Sequence, residues 1–464
     1  MRLEKNMLKT ILSLAWPTML EELLQTTVQY MDTFMVGVLG TAATAAVGAT
    51  TTVNWLINGT VNALGVGFLS FIAKSYGAGE KDKAAKASAQ AAGMSLVVGL
   101  FLTIVTVLLH KKIPQWMQVD AEIMPLASRY FFILYLPMIA RTAMILFGNV
   151  LRAVGDTKTP MRVGFIVNMI NVVLNFLLIF PSKEQSLFGL KLIFPGAGLG
   201  VIGAAIASAI SFVVGGLLIT VKVWHHPLVS PKHHSKKPNA EILRPCLKTA
   251  LPNMLQRFAT SFGYVAFASM INSLGSISTA AHTIANTVES AFYIPGYGMQ
   301  AASATLAGNA LGAKNEKQLR SLGQTLLPLE VSLMMITGGL LFLFAPALMK
   351  IFSADKAVIQ LGTTVLRMVA VSEPFYGVSI IVEGMLLGMG KPFMPFLFNI
   401  IGMWGIRIVG TFVCTQLFGL GLVSAWACMI AHNLFLFVMY LWLYLSGRWN
   451  PMAHQAQKQT AYSH

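Results

Sequence analysis

Residues 17–40 read PTMLEELLQTTVQYMDTFMVGVLG, and residues 252–275 read PNMLQRFATSFGYVAFASMINSLG. The two stretches share Pro, Met and Leu near their start and Leu-Gly at their end, at a constant offset of 235 residues. Further matches follow at this offset without a gap, and they are Thr44-Ala45-Ala46 with Thr279-Ala280-Ala281, Gly77-Ala78 with Gly312-Ala313, Gly155 with Gly390, and Pro160 with Pro395. The chain is therefore two copies of one structural unit, and positions where the copies differ are the first candidates for function.

The composition excludes a soluble globular protein. Of the 464 residues, 55% are hydrophobic and only 11% are charged, against about 25% charged residues in soluble domains. Apolar runs of about 18 residues or more recur along the whole length, which is the pattern of transmembrane helices. We predict an all-α integral membrane protein with twelve transmembrane helices. Their approximate bounds are 10–37, 44–73, 85–109, 124–151, 160–181, 198–222, 243–272, 279–311, 321–349, 358–387, 393–415 and 420–446.

Each half of the chain holds six of these helices. Because an even number returns the chain to its starting side, both halves insert the same way up, and the pseudo-two-fold axis between the two lobes lies along the membrane normal. The predicted divisions are an N-terminal lobe (1–222), a cytoplasmic basic linker (223–242), a C-terminal lobe (243–446) and a cytoplasmic tail (447–464).

The distribution of charge predicts the orientation in the membrane. Lys and Arg number 22 in the terminal segments and in the loops on the side of the termini, and seven in the loops on the other side. The positive-inside rule therefore places both termini in the cytoplasm, and we expect a bacterial cytoplasmic (inner) membrane. The net charge of +16 follows mostly from this topology, so we expect no nucleic-acid partner.

The linker carries four histidines, His225, His226, His233 and His234. They could hold a metal ion, but a solvated basic connector that also contacts anionic membrane lipid fits this composition better. The three cysteines show neither metal-ligand spacing nor a disulfide framework. We expect no metal site and no cofactor.

The clearest difference between the copies is Asp32, which lies within the first helix and corresponds to Phe267 in the second copy. A charged side chain at membrane depth costs about 2.5–3.5 kcal/mol on insertion scales, so Asp32 should face a cavity. Gln25, Gln29 and Asp32 share one helix face. An acid in this setting is suited to carry a proton or to bind a hard cation. The alternative is a buried acid that serves helix packing.

The fifth helix carries Asn168, Asn171 and Asn175 on one face, and the sixth carries Ser208 in a run of small residues. Such amides often only join helices. Beside an intramembrane acid they also offer oxygen ligands. The candidate ion-coupling residues are therefore Asp32, Asn171, Asn175 and Ser208.

A second polar stripe occurs in both copies. It consists of Asn54, Asn58 and Asn62 on helix two and, at the 235-residue offset, Glu289, Tyr293 and Tyr297 on helix eight. Two related polar faces predict a central cleft, which would bind a cationic compound through its acid and its aromatic rings. The candidate substrate-cleft residues are Gln25, Gln29, Asn54, Asn58, Glu289 and Tyr293. Packing of the helix bundle is the alternative explanation.

Pro17 and Pro252 occupy equivalent positions in helices one and seven. Each proline removes a backbone hydrogen bond, so each should bend its helix. We therefore expect both to act as hinges, and the hinge at Pro17 lies in the same helix as Asp32.

Several of these motifs resemble the multidrug and toxic compound extrusion (MATE) family. They are Pro17-Thr18-Met19-Leu20 with Met31 to Gly40, the second-half echo from Leu274 to Ala285 followed by Ile294-Pro295-Gly296, Leu151 to Asp156, and the run 203–208. The resemblance covers all twelve helices. It implies two six-helix lobes, and an antiporter that takes in Na⁺ or H⁺ while it exports small, drug-like and often cationic organic compounds.

The resemblance also implies roles for individual residues. Asp32 matches the family's first-helix acid, and Asn171, Asn175 and Ser208 match polar, cation-linked positions. Some relatives have an acid where this chain has Asn175, and a bacterial branch has a glutamate where this chain has Thr260. Both departures favour the DinF-like branch, with coupling in the N-terminal lobe.

Three alternatives remain open on the sequence. A lipid-linked precursor flippase of the same superfamily would be expected to have a cleft rich in Arg and Lys. Here the arginines inside helices are Arg141, Arg257, Arg367 and Arg407. A membrane scaffold or receptor without a transport cycle would not explain the intramembrane acid. An intramembrane enzyme is disfavoured because no catalytic motif occurs at usable spacing. We expect a monomeric transporter rather than an enzyme.

Overall fold

The computed structural model describes residues 2–117, 119–187 and 190–453, so most of the predicted tail (447–464) lies outside the described residues. Helices make up nearly all of this part of the chain. They are α1 (Arg2–Gly37), α2 (Thr41–Gly77), α3 (Lys81–Leu109), α4 (Lys112–Trp116), α5 (Met124–Tyr135), α6 (Met138–Ala153), α7 (Lys158–Ile179), α8 (Gly200–Trp224), α9 (Ala240–Asn272), α10 (Ser276–Gly312), α11 (Glu316–Phe352), α12 (Lys356–Gly388), α13 (Phe393–Ile400), α14 (Val409–Phe412) and α15 (Leu422–Leu445).

The element boundaries follow the sequence repeat. Helices α2 and α10 begin and end at residues that are 235 positions apart, and so do the last residues of α1 and α9. The turns after α1 and α9 use Gly40 (φ +111°) and Gly275 (φ +102°), a backbone conformation that side chains other than glycine rarely adopt. The repeat therefore sets these helix boundaries.

The described residues contain the twelve helical spans that the sequence predicts. Eight helical segments are long and apolar enough to cross a membrane, and the bent pair α5–α6 makes a ninth. The remaining three are α1, α9 and α10, which are 36, 33 and 37 residues long. Each half of the chain therefore contributes six spans, as in a two-lobe transporter.

Three local features depart from the predicted helices. The predicted helix 124–151 is broken by 50° between α5 and α6, where Pro137 cannot donate a helical hydrogen bond. The connection between α7 and α8 forms an antiparallel hairpin of β1 (Pro181–Leu187) and β2 (Leu190–Ala197), in which Pro181 pairs with Ala197. Within residues 393–417 the helix alternates between α and π geometry, with π-helical turns at Ile401–Ile408 and Val413–Leu417.

The chain divides into two compact units. The C-terminal unit comprises Met1–Glu22, Leu69–Glu80 and Arg244–His464, and the N-terminal unit comprises Leu23–Phe68 and Lys81–Leu243. The beginning of α1 and the end of α2 therefore pack with the C-terminal helices rather than with the rest of the predicted N-terminal lobe (1–222). The division of α1 falls about one and a half turns after Pro17.

Within the C-terminal unit, the ends of α2 and α10 cross at very close range. A Cβ atom added to Gly77 would lie 2.0 Å from the carbonyl oxygen of Asn309, and one added to Gly312 would lie 2.0 Å from the carbonyl oxygen of Lys74. These two contacts are related by the 235-residue offset. The crossing is therefore a local pseudo-two-fold contact that only glycine permits.

Helix α1 is tied to the same unit near Pro17. The buried hydroxyl group of Thr18 donates a hydrogen bond to the carbonyl oxygen of Gly298 on α10, at 2.7 Å. A Cβ atom at Gly298 would collide with Met19. The first part of α1 is thus anchored on α10.

Candidate functional site

The four predicted ion-coupling residues lie together in the N-terminal unit. Asn171 and Asn175 occupy the buried face of α7, and they are 5% and 0% exposed. Asp32 reaches this face from the last two turns of α1, and Ser208 reaches it from α8. Three helices therefore bring one carboxylate, two amides and one hydroxyl group to a single place.

A chain of hydrogen bonds connects these side chains. The amide group of Asn175 donates both to Asp32 Oδ1 and to Asn171 Oδ1, the latter at 3.1 Å. The amide group of Asn171 donates to Ser208 Oγ at 3.1 Å. Asn175 Oδ1 is buried and accepts no hydrogen bond from the described residues. The cluster presents oxygen atoms of the kind that bind hard cations, and a carboxylate that could instead hold a proton.

Tyr130 on α5 extends this cluster. It was not among the residues predicted from the sequence. Its side chain is buried, and its phenol group lies within electrostatic range of both Asp32 and Arg141. Tyr130 does not belong to a polar stripe on its helix, so the sequence does not mark it as a candidate. Its approach to Asp32 depends on how α5 packs beside α1. Tyr130 is therefore close enough to an acid and to a cation of the same unit to interact with both.

The predicted substrate-cleft residue Asn54 is held by neighbours within the N-terminal unit. Asn54 Oδ1 accepts hydrogen bonds from Arg141 at 2.6 Å and from the hydroxyl group of Tyr135 at 3.2 Å. Arg141 is only 5% exposed, and its guanidinium group lies 4.7 Å from the ring centroid of Phe212. The Asn54 amide oxygen thus helps to satisfy a buried cation.

The other predicted cleft residues of this unit are less enclosed. Gln25 and Gln29 are exposed on α1, whereas Asp32 and Asn58 are half-buried. Among the described residues, Gln25 and Gln29 do not take part in the hydrogen-bond chain of Asp32. Their role in binding a substrate stays a prediction.

The C-terminal unit contains a cluster of buried acids, of which the sequence analysis selected only Glu289. Glu289 on α10, Glu330 on α11 and Glu373 on α12 are between 0% and 6% exposed, and Glu373 lies within electrostatic range of the other two. Gly296 and Gly377 leave room for the carboxyl group of Glu330. The signal for Glu330 and Glu373 was their position inside membrane helices, which alone does not show that they converge.

Aromatic and basic side chains lie beside these acids. Tyr293, predicted as a cleft residue, packs edge-on against Tyr297 and Tyr376, and the hydroxyl groups of these last two lie 3.0 Å apart. Arg407, in the π-helical turn, lies within electrostatic range of Glu289. The arrangement can accommodate positive charge through both carboxylates and aromatic faces.

Equivalent positions of the two repeats differ in charge. Asn54 corresponds to Glu289, and the buried Arg141 corresponds to Tyr376. Phe267, the counterpart of Asp32, lies under the guanidinium group of Arg407 at 4.1 Å. The N-terminal unit therefore has a cation where the C-terminal unit has a tyrosine. It has an acid where the C-terminal unit has the phenylalanine ring that packs against Arg407.

The predicted hinge residues lie inside continuous helices. Helix α1 runs through Pro17, and α9 runs through both Pro245 and Pro252. The bending expected at these prolines stays a prediction.

The linker histidines do not form a metal cluster in the described part of the chain, where no group of three or more His, Cys, Asp or Glu side chains could hold a metal ion. His226 lies 3.8 Å from Asp156, and His234 lies 3.8 Å from Asp82. Burial lowers the pKa of His226 below its ordinary value, because it disfavours the charged ring.

Comparison with known proteins agrees with this architecture. The sequence matches the MatE family twice, over residues 17–177 and 252–413. It is 29% identical to the probable multidrug resistance protein NorM of Thermotoga maritima over 452 residues, which cover 96% of this chain and 94% of the relative. It is 22% identical to the multidrug export protein MepA of Staphylococcus aureus, with 94% and 93% of the two chains covered.

Solved structures show the same fold. An outward-facing multidrug resistance MATE family transporter superimposes with a TM-score of 0.88 at 23% identity and covers 96% of both chains. A MATE protein in complex with MaD3S gives a TM-score of 0.87 at 24% identity, with 96% of this chain and 97% of the other covered. With both halves matched and the fold shared, the chain belongs to the MATE family of multi-pass membrane transporters.

Proposed function

We propose that this protein is a cation-coupled antiporter that exports drug-like, cationic or amphipathic organic compounds across the bacterial cytoplasmic membrane. The observation that carries the proposal is the hydrogen-bond chain from Asp32 through Asn175 and Asn171 to Ser208. An intramembrane acid with buried amide ligands is costly to maintain unless it binds something. The names of the relatives as multidrug resistance and export proteins support the export direction.

The coupling ion in this proposal is H⁺ or Na⁺, bound at Asp32. A proton would neutralise the carboxylate directly, whereas Na⁺ would use the carboxylate together with the oxygens of Asn171, Asn175 and Ser208. Each charge moved across the membrane gains about 2.3 kcal/mol per 100 mV. For a neutral substrate this free energy supports a gradient of roughly 50-fold per 100 mV. For a monovalent cation exchanged one for one the two charges cancel, so the concentration gradient of the coupling ion drives export.

The substrate class follows from the C-terminal unit. The acids Glu289, Glu330 and Glu373 and the ring of Tyr293 favour a positively charged, partly aromatic compound. Methionine and phenylalanine are abundant, with 26 and 28 residues, and flexible thioethers suit a site of low shape specificity.

The topology in this proposal has both termini in the cytoplasm, as the bias of 22 cationic residues against seven indicates. The linker between the halves then lies on the cytoplasmic side. Residues such as Lys232, Lys236 and Lys237 would be near anionic lipid headgroups there.

The test is transport in proteoliposomes with gradients of pH and of Na⁺ imposed separately. Efflux of a fluorescent cationic dye should depend on one of the two gradients and should stop when that gradient is collapsed. If neither gradient drove dye efflux and the protein translocated a fluorescent lipid-linked precursor, a flippase function would replace this proposal.

A further inference from the structure

A cavity of about 750 Å³ lies in the N-terminal unit, and its lining includes none of Asp32, Asn171, Asn175 and Ser208. It is open on one side and is lined by the residues that follow α3, by the short helix α4, by α5 and by the beginning of α8. A volume of this size is typical of sites for small molecules. The residues that give it chemical character are His110, Lys111, Arg129, Phe132, Ile133 and Ile202.

One side of the cavity is cationic. Lys111 and Arg129 are exposed, and among the described residues neither forms an ion pair with a carboxylate. His110 Nδ1 lies 2.6 Å from the carbonyl oxygen of Val107 and must donate to it, so Nε2 of the neutral ring is an acceptor and the charge of this side comes from Lys111 and Arg129. No acid is among the described residues that line the cavity. A bound molecule would therefore meet two cationic groups that favour an anion.

The other side of the cavity is apolar. Phe132 packs against the ring of His110 with centroids 5.3 Å apart, and Ile133 and Ile202 continue the surface. Next to the cavity, Leu108 and Trp116 are 73% and 66% exposed. Exposed Leu and Trp at the end of a membrane helix are typical of the boundary between lipid tails and headgroups. The cavity thus borders the membrane surface.

The position of the cavity in the unit makes its cationic side unusual. Ile202 lies at the beginning of α8, whereas the basic linker follows the end of α8, about 33 Å away along the helix. The cavity is therefore at the end of the unit that the positive-inside rule leaves poor in cations. Of the seven Lys and Arg residues on that side, three are Lys111, Lys112 and Arg129. Topology alone does not account for this concentration.

We propose that the cavity binds an anionic phospholipid, with its phosphate at Lys111 and Arg129 and the start of an acyl chain on Phe132, Ile133 and Ile202. The phosphate satisfies the unpaired cations, and the acyl chain covers apolar surface that borders the bilayer. The lipid belongs to the leaflet opposite the linker. Arg129 immediately precedes Tyr130 on α5. Lipid binding at Arg129 therefore fixes the helix that approaches Asp32.

The test is native mass spectrometry of the full-length protein with phosphatidylglycerol and with phosphatidylcholine of identical acyl chains. We expect phosphatidylglycerol to bind about tenfold more tightly, because each cation near a lipid headgroup favours the anionic lipid. Lys111→Gln combined with Arg129→Gln should abolish this preference. The matched control, Lys350→Gln with Lys356→Gln, removes two exposed cations from the same side of the other half and should retain it.

A second variant separates the cavity from surface charge. Ile133→Trp fills the cavity and leaves every cation in place, so the proposal predicts loss of phosphatidylglycerol binding. Equal binding of both lipids, or undiminished phosphatidylglycerol binding by Ile133→Trp, would overturn it. Binding of a soluble alkyl phosphate without binding of phosphatidylglycerol would overturn the assignment to a lipid.

Discussion

At the scale of single residues, the amide group of Asn175 holds the Asp32 cluster together. It is the one group in the cluster that donates to two described neighbours, Asp32 and Asn171. Hydrogen bonds to a charged partner contribute about 1.5–3 kcal/mol each. The orientation of the carboxylate therefore depends on a neutral side chain from another helix.

Replacement of Asn175 by leucine should weaken coupling without altering the fold. The Asn175→Leu variant removes the two hydrogen bonds that the Asn175 amide donates to Asp32 and to Asn171. We therefore expect gradient-driven dye efflux to fall by about tenfold or more. The measurement is initial efflux rate in proteoliposomes at equal protein content. Asn168→Leu is the control, because Asn168 lies on the same helix but outside the hydrogen-bond chain, and an equal loss in both variants would contradict this role of Asn175.

The sequence predicted part of this cluster for a physical reason. Residues spaced three and four apart share a helix face, so the grouping of Asn171 with Asn175 follows from periodicity. The approach of Asp32 followed from the rule that a membrane acid avoids lipid. Tyr130 and Arg141 were not predicted, because their contacts depend on how α5 and α6 pack after the break at Pro137.

At the scale of elements, the crossing of α2 and α10 depends on two glycines. A methyl group at Gly77 or Gly312 would meet a backbone carbonyl oxygen at 2.0 Å, and a backbone atom cannot move aside as a side chain can. The two helices therefore need glycine at both equivalent positions.

Alanine at either position should destabilise the protein. For Gly77→Ala and Gly312→Ala we expect losses of about 1–3 kcal/mol, which is the usual range for overpacking. Thermal unfolding in detergent would measure the change. Gly339→Ala is the control, since nothing lies within 4 Å of a Cβ at that helical site, and a similar loss there would show that the crossing is not the cause.

The linker is a second element with a defined support. The buried side chain of Gln90 donates to the carbonyl oxygens of Ser235 and Lys237, at 3.2 and 2.7 Å, and accepts from the backbone of Asn239 at 3.0 Å. One side chain on α3 thus makes three hydrogen bonds to the backbone of the linker. The sequence predicted a solvated connector and did not indicate this anchor.

Loss of the anchor should make the linker accessible. In Gln90→Ala we expect trypsin to cut after Lys232 or Lys236 about tenfold faster than in the wild type, because three backbone hydrogen bonds are lost. The readout is the rate at which the two half-chain fragments form. Gln115→Ala, an exposed glutamine on α4, is the control, and an unchanged cleavage rate in Gln90→Ala would contradict the anchoring role.

At the scale of the whole molecule, duplication explains the fold better than it explains the site. The family match covers 17–177 and 252–413, which begin 235 residues apart. Helices α2 and α10 keep this offset at both ends, and so do the first residues of α3 and α11 and of α7 and α13. Helix number and glycine turns could therefore be predicted from the repeat. The buried acid cluster of the C-terminal unit could not, because Ser95 and Met138 stand where the second copy has Glu330 and Glu373.

The two units should have separable roles. Under the proposed function, Glu373→Gln lowers the affinity for a cationic dye but leaves the dependence on the ion gradient intact, since Asp32 is unchanged. A neutral substrate should be affected less than a cationic one. The measurement is the concentration dependence of efflux for a cationic and a neutral dye under the same gradient, and loss of gradient dependence in Glu373→Gln would assign coupling to the C-terminal unit instead.

The most direct test of the central claim is counterflow by Asp32→Asn in proteoliposomes, with pH and Na⁺ gradients imposed separately. The amide keeps the size of the side chain but holds neither a proton nor a full negative charge at neutral pH. We expect dye exchange down its own gradient to persist and ion-driven accumulation to disappear under both gradients. Normal accumulation by Asp32→Asn under either gradient would contradict the claim that Asp32 couples ion movement to export.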